Sequence, residues 1–224
     1  MRIFIEIRAA EGGDDSKLFV SDLSKAYQRM AQKSGWIARY EYVSPGITVL
    51  QIDGNNLENW YNEAGGHRIQ RIPPTERKGR THTSTVTVAV LNYNPSLKKD
   101  IDEKEFEIEW FSGTGKGGQN RNKKQCCCRL KHIPTGMVST AQTRSRINSY
   151  NEALSALKKR IEQEDRSTQY NTVNSIRKEQ VGSGMRGDKI RTIQFQHNTA
   201  VDHRTGKRCT SDQYIRGEMY RLWP

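Results

Sequence analysis

Ile3, Ile5 and Ile7 alternate with Glu6 and Arg8 at the head of the chain, the two-residue period of a half-buried strand. The segment AAEGGDD follows. Gly12 and Gly13 predict a turn there, and Asp14 or Asp15 is placed to cap a helix. Phe19, Leu23, Ala26 and Met30 then recur at helical spacing until Gly35 ends the helix. Further strands are expected over 36–43, 48–52 and 84–90. Residues 92–105 are polar, contain Pro95 and read as a linker.

Beyond the linker, Phe106, Ile108 and Trp110 alternate with Glu105, Glu107 and Glu109 as a strand that runs directly into GTGKGGQNRNKK. Residues 126–132 and 137–142 predict two more strands, with IPTG as a turn between them. Ser149 and Glu152 have the spacing of a capping box. Ile147, Tyr150, Leu154, Leu157 and Ile161 supply the stripe of a helix laid against this small sheet. Residues 182–188 form a glycine-rich joint, and 190–224 predict short strands, a turn and a short helix. The fold class is α+β, an α/β body plus a small sheet-and-helix domain. The expected domains are 1–103, 104–185 and a segment 186–224 that packs back on the first. The linker and the joint are the natural hinges.

Charge changes the picture from scaffold to partner. The 224 residues carry a formal net charge of +12, with 37 Lys and Arg against 25 Asp and Glu. Six of the cations and no acid lie between Lys116 and Lys131. Such clustering points to a polyanion, most simply nucleic acid. Only 33% of residues are hydrophobic, no stretch is long and apolar enough to cross a membrane, and the head of the chain does not read as a signal peptide. Cytoplasmic localisation is expected. Cys126, Cys127 and Cys128 are consecutive and lack the spacers of a metal site. They read as small residues on a strand. Neither a metal nor a cofactor is expected. Residues 182–187, GSGMRG, match a dinucleotide fingerprint only in letters, because the motif needs a buried strand before it and a helix after it.

Four glycines between Gly113 and Gly118 make the GTGKGG segment a poor strand and a poor helix. Gly117, Gly118 and Gln119 on this basic tip resemble the GGQ loop of the class I bacterial peptide chain release factors. AGGHRIQRIPPTERKGRTHTSTVTVAV, over 64–90, resembles the codon-reading segment of the type that reads UAA and UAG. RLKHIPTGMV, GSGMRGDKIRTIQFQ and VDHRT continue the likeness in the family's order over nearly the whole chain.

The resemblance implies translation termination. Stop codons are read in the ribosomal A site, and the peptidyl-tRNA ester is hydrolysed by a factor that acts only on the ribosome. It assigns hydrolysis to Gly117, Gly118 and Gln119, whose main-chain N–H would stabilise a developing oxyanion. Lys116, Arg121, Lys123 and Lys124 would meet ribosomal RNA phosphates. Codon reading would fall to Pro73, Pro74 and Thr75, with Gln70, His82, Thr83, Gly12 and Asp15. A threonine hydroxyl both donates and accepts, and an imidazole stacks on unstacked bases. The implied partners are ribosomal RNA, the mRNA stop codon, peptidyl-tRNA and a glutamine N-methyltransferase acting on Gln119. The chain departs from the family in Asn120-Arg121-Asn122, where HVN is usual, and at Lys116. The resemblance begins after the family's helical N-terminal domain, so a factor lacking that domain, of phage or plasmid type, is expected. A codon-independent ribosome-rescue hydrolase and a non-catalytic RNA-binding protein are the alternatives.

Overall fold

The computed structural model describes residues 1–92, 103–113 and 123–224. The expected linker lies largely outside these residues. So do Lys116, Gly117, Gly118, Gln119 and Arg121. Two compact units are present, Met1–Asn94 with Val173–Pro224, and Pro95–Thr172. The architecture is α+β.

The first unit is built on strands β1 (Arg2–Ala9), β2 (Ile37–Ser44), β3 (Ile47–Asp53), β4 (Gly65–Arg71), β5 (His82–Leu91), β9 (Arg191–Gln194), β10 (Thr199–Asp202) and β11 (Arg208–Cys209). Among the described residues they form one sheet in the order β11-β10-β9-β4-β5-β1-β3-β2. All pairings are antiparallel except β4 with β9. Helix α1 (Gly13–Lys33) crosses one face. Its Phe19, Leu23, Ala26, Tyr27 and Met30 are buried against Ile3, Ile5 and Ile7 of β1, the two periodicities of the sequence meeting in one core. Burying each large side chain contributes about 1.5–3 kcal/mol.

Asp14 and Asp15 do not cap α1. Its N-cap is Gly12, at φ 126°, with no side-chain cap bond. Asp14 instead pairs with Lys17 at 2.9 Å, and Asp15 points into the body. Strand β4 breaks the expected pattern too. It was not among the expected strands, yet it sits mid-sheet between β5 and β9. The C-terminal residues complete this unit. A short helix α3 (Ser211–Ile215) starts with a Thr210–Gln213 capping box, and Tyr214, Met219, Leu222 and Trp223 are buried in the main core.

The second unit holds β6 (Phe106–Phe111), β7 (Cys127–His132) and β8 (Val138–Ala141), antiparallel in the order β6-β7-β8. Phe106, Cys128, Leu130 and Ala141 pack with Ala153, Leu157 and Ile161 of helix α2 (Arg146–Val181). The buried face of α2 follows Ser149, Ala153, Leu157 and Ile161, an i, i+4 row. Ile147 lies off that row and is 72% exposed, against its expected place in the stripe. Ser149 is likewise not a cap. The helix begins three residues earlier, and the Ser149 hydroxyl accepts the Thr143 N–H at 3.0 Å. Helix α2 runs to the GSGMRG segment, so a helix and not a strand precedes those glycines. The described residues contain no helix long and apolar enough to cross a membrane.

Candidate functional site

Strands β4 and β5 are joined by residues 72–81, and their register sets Gln70 opposite Thr83 and Arg71 opposite His82. The connecting loop opens with a turn closed by the Glu76 N–H on the Pro73 carbonyl at 3.0 Å. Pro74 occupies the second turn position, where its fixed φ is preorganised. Pro73 is buried and anchors the turn, while Pro74 and Thr75 are exposed at its tip.

One carboxylate organises the rest of the loop. Glu76 accepts from the Lys78 N–H at 2.7 Å, from Arg80 at 3.2 Å and from His82 Nε2 at 2.7 Å. These donors, the Lys78 N–H foremost, hold the Glu76 carboxyl below the ordinary glutamate range. The loop thus ties Thr75 at one end to His82 at the other. The His82 side chain remains 42% exposed, enough to offer a ring face.

The floor beneath comes from residues distant in sequence. Gln194 Nε2 donates to Gln70 Oε1 at 2.6 Å, and Gln196 Nε2 to Thr81 Oγ1 at 2.5 Å. Arg71 donates to Asp15 at 2.7 Å and to Asp22 at 2.8 Å, with its guanidinium over the rings of Phe19 and Phe195. Asp15, 2% exposed, spends its second oxygen on the Ser84 hydroxyl at 2.8 Å. Its carboxylate therefore locks the tip of α1 onto β4 and β5. Gly12 fits the same joint, because a Cβ there would lie 2.6 Å from Ser84 Cβ.

The structure brings Gln70, Thr83, His82 and Pro73–Thr75 to one end of the sheet, with Gly12 and Asp15 at the adjoining helix tip. Glu76, Arg71, Gln194 and Gln196 were not singled out from sequence. Glu76 alone had a signal there, standing next to the Pro-Pro-Thr turn. The other three depend on a parallel pairing and an ion pair that link distant segments.

In the second unit, Phe111 pairs with Cys127, so β6 ends and β7 begins at the same end of the small sheet. Lys123 and Lys124 are exposed just before β7. Cys127 and Cys128 are buried and Cys126 half-buried, all as free thiols. Burial pushes the Cys128 thiol up. Among the described residues no group of three or more His, Cys, Asp or Glu side chains is placed to hold a metal ion.

Comparison with known proteins matches residues 1–88 to the PCRF domain and residues 95–204 to the RF-1 domain. Peptide chain release factor 1 of Nitratiruptor sp. is 40% identical over 214 residues, 91% of this chain and 60% of that protein. Peptide chain release factor 1 of Oceanobacillus iheyensis is 37% identical over 226 residues, 97% of this chain and 64% of that protein. Among solved structures, RF2 of Thermus thermophilus aligns with a TM-score of 0.57 at 27% identity, over 99% of this chain and 66% of its own. The chain thus spans about 60% of the length of the curated relatives it matches. Two adjoining domain matches, with identity of this order along nearly all its residues, place the chain in the family of class I peptide chain release factors.

Proposed function

We propose that this protein terminates translation, reading UAA and UAG in the ribosomal A site and triggering hydrolysis of the peptidyl-tRNA ester. The observation that carries the reading is the β4–β5 loop. Its exposed Pro74–Thr75 turn and half-exposed His82 are held together through Glu76 on a floor of Gln70, Thr83 and Gln194. A short, hydroxyl-bearing, preorganised turn beside an imidazole suits unstacked single-stranded bases, and its preorganisation lowers the ordering cost of binding.

In this reading the Thr75 hydroxyl accepts U at the first base and tolerates A or G at the third, His82 stacks against the codon with Thr83 as its partner, and Gln70 meets the third base. Gly12 and Asp15 shape the wall facing the first base. Gly117 and Gly118 let the second unit's loop approach RNA without side chains, and the Gln119 N–H stabilises the oxyanion. Lys116, Arg121, Lys123 and Lys124 neutralise ribosomal RNA phosphates. Peptidyl-tRNA, mRNA and the ribosome are the partners, with a glutamine N-methyltransferase acting on Gln119.

The test is peptide release from purified ribosomes programmed with UAA, UAG, UGA or a truncated message. Release on the first two alone is expected. Equal release on the truncated message would favour a codon-independent rescue hydrolase, and no release on any message would remove the hydrolysis assignment.

A further inference from the structure

Two glutamines from strands far apart in the chain stand side by side beneath the β4–β5 loop. Strand β4 has β5 on one edge and β9 on the other, and the two registers set Gln70 opposite Thr83 and opposite Gln194. Ile69 and Ile193, one residue earlier in each strand, are buried in the core with α1. Successive side chains of a strand point to opposite faces. Thr83, Gln70 and Gln194 therefore lie in a row on the face turned away from α1, and both glutamines are half-buried there.

The row is fixed at its end. The Phe195 N–H donates to the Gln70 carbonyl at 3.0 Å, and Gln196 Nε2 donates to Thr81 Oγ1 at 2.5 Å. Gln194 Nε2 donates to Gln70 Oε1 at 2.6 Å. That last bond sets which way round the Gln70 amide sits. A glutamine amide turns about a broad, roughly two-fold terminal torsion, and it offers an acceptor or a donor according to the half-turn it takes. With Gln70 Oε1 engaged by Gln194, the Nε2 amine is the end left to a ligand.

The two purines differ in the same sense. Adenine carries an amine donor, N6, where guanine carries a carbonyl acceptor, O6, while N7 accepts in both. An amide free to turn matches either base. One held with its amine outward meets O6 and N7 of guanine with two hydrogens. It meets adenine through N7 alone, with the N6 amine opposed to a second donor.

We infer that Gln194 is a positioning residue that fixes the hydrogen-bond polarity of Gln70 and so tilts third-base reading towards guanine, favouring UAG over UAA. This rests on the reading above in which Gln70 meets the third base. The Thr75 hydroxyl, which both donates and accepts, keeps adenine readable. The effect is thus a bias between two accepted codons and not the loss of one.

The experiment measures the UAG:UAA ratio in two ways, by equilibrium binding of the fluorescently labelled chain to purified ribosomes with either codon in the A site, and by peptide release at subsaturating factor on the same complexes. Gln194→Glu presents only acceptors, so the Gln70 amine turns to the new carboxylate and Oε1 turns to the codon. The ratio should fall about tenfold towards UAA. The added negative charge weakens both codons alike and cancels in the ratio. Gln194→Lys, a donor only, should keep the parent's ratio, and Gln194→Leu, which frees the amide, should fall between. Gln196→Leu removes the neighbouring bond to Thr81 and should weaken both codons alike. An unmoved ratio in Gln194→Glu would overturn the proposal. So would equal shifts in the glutamate and lysine variants, or a shift of the same size in Gln196→Leu. Each ratio is taken within one variant, so a loss of folded fraction cancels. A parent that binds UAA, UAG and UGA complexes equally and releases on none removes the termination reading and this inference with it. A parent that selects UAA and UAG, with the Gln194→Glu ratio unmoved, leaves the termination reading standing and sinks this inference alone.

Discussion

Glu63 and Arg191 are 128 residues apart in the chain and form an ion pair with neither side chain exposed. Glu63 also accepts from Tyr27 at 2.9 Å, Tyr214 at 3.2 Å and Trp223 at 2.6 Å, and Arg191 donates to Asp202 at 3.0 Å. Burial alone would raise the Glu63 carboxyl, but Arg191, His67 and these donors bring it below the ordinary range. The cluster ties the 3-10 turn before β4 to the C-terminal strands and helix. Glu63→Gln should leave Arg191 buried with a single remaining carboxylate, at a cost of about 3–5 kcal/mol. Urea unfolding followed by tryptophan fluorescence measures it. A loss below about 1 kcal/mol, the level of an exposed pair, would contradict the assignment.

The same cluster makes stability depend on pH in two steps. Burial lowers the His67 pKa from 6.5 to about 4. As pH falls through 6.5 the unfolded histidine takes up a proton and the folded one does not. Stability is therefore complete above 6.5 and declines toward 4, by about 3 kcal/mol from this group. Glu63 and Asp202 follow the opposite assignment of charge. Burial opposes their ionisation, but arginine partners hold both carboxyls below their usual range. Their contribution is present above the unfolded carboxylate range and is lost below it. Melting temperature against pH should show a decline between 6.5 and 4 and a second one below about 4. A His67→Gln variant should lack the first. A flat profile between 7 and 4.5 in the parent would refute the buried neutral histidine.

These contacts mark what sequence could and could not convey. The alternation of Ile3, Ile5 and Ile7 and the helical spacing from Phe19 to Met30 report a sheet face and a helix stripe that meet in one core, so β1 and α1 were legible. Strand β4 was not, because it opens on two glycines, weak strand formers, and its parallel partner β9 begins 120 residues later. The far part of α2 has no apolar stripe after Ile161, so its extent to Val181 left no periodic trace. Ser149 looked like a cap because its hydroxyl is a capping group, yet it bonds back to Thr143 from inside the helix. At the candidate site the Pro-Pro-Thr turn and His82 were visible as a motif. The carboxylate joining them had only its place beside the turn as a signal, and Gln194 and Gln196 beneath had none, since they act through geometry that no local spacing encodes.

Gly12 and Gly13 both have positive φ, 126° and 61°, but only one is packed. A Cβ on Gly12 would lie 2.6 Å from Ser84 Cβ and 2.7 Å from its Cα, whereas nothing lies within 4 Å of one on Gly13. Gly12→Ala should therefore cost about 1–3 kcal/mol through strain and displacement of Ser84 from Asp15. Gly13→Ala should cost about 1 kcal/mol, the left-handed penalty alone. Paired denaturant titrations test the ordering, and equal losses would show that the α1 tip yields freely.

The β4–β5 loop permits a sharper separation of binding from chemistry. Glu76 gathers the Lys78 N–H, Arg80 and His82 on one carboxylate whose side chain is 6% exposed. Glu76→Gln keeps the volume, removes the charge and leaves one acceptor oxygen for three donors, so His82 and the Thr75 turn lose their common anchor. Loss of a charge-assisted hydrogen bond from the loop should weaken binding roughly tenfold. If this loop reads the codon and hydrolysis is performed by the Gly117–Gln119 segment, the variant's half-saturating concentration for release on UAA and UAG should rise about tenfold. Its rate at saturation should stay unchanged. Thr75→Ala should act in the same direction without disturbing the Glu76 contacts. A reduced saturating rate at an unchanged half-saturating concentration would instead place Glu76 in the chemical step and contradict the division of labour argued for the two loops.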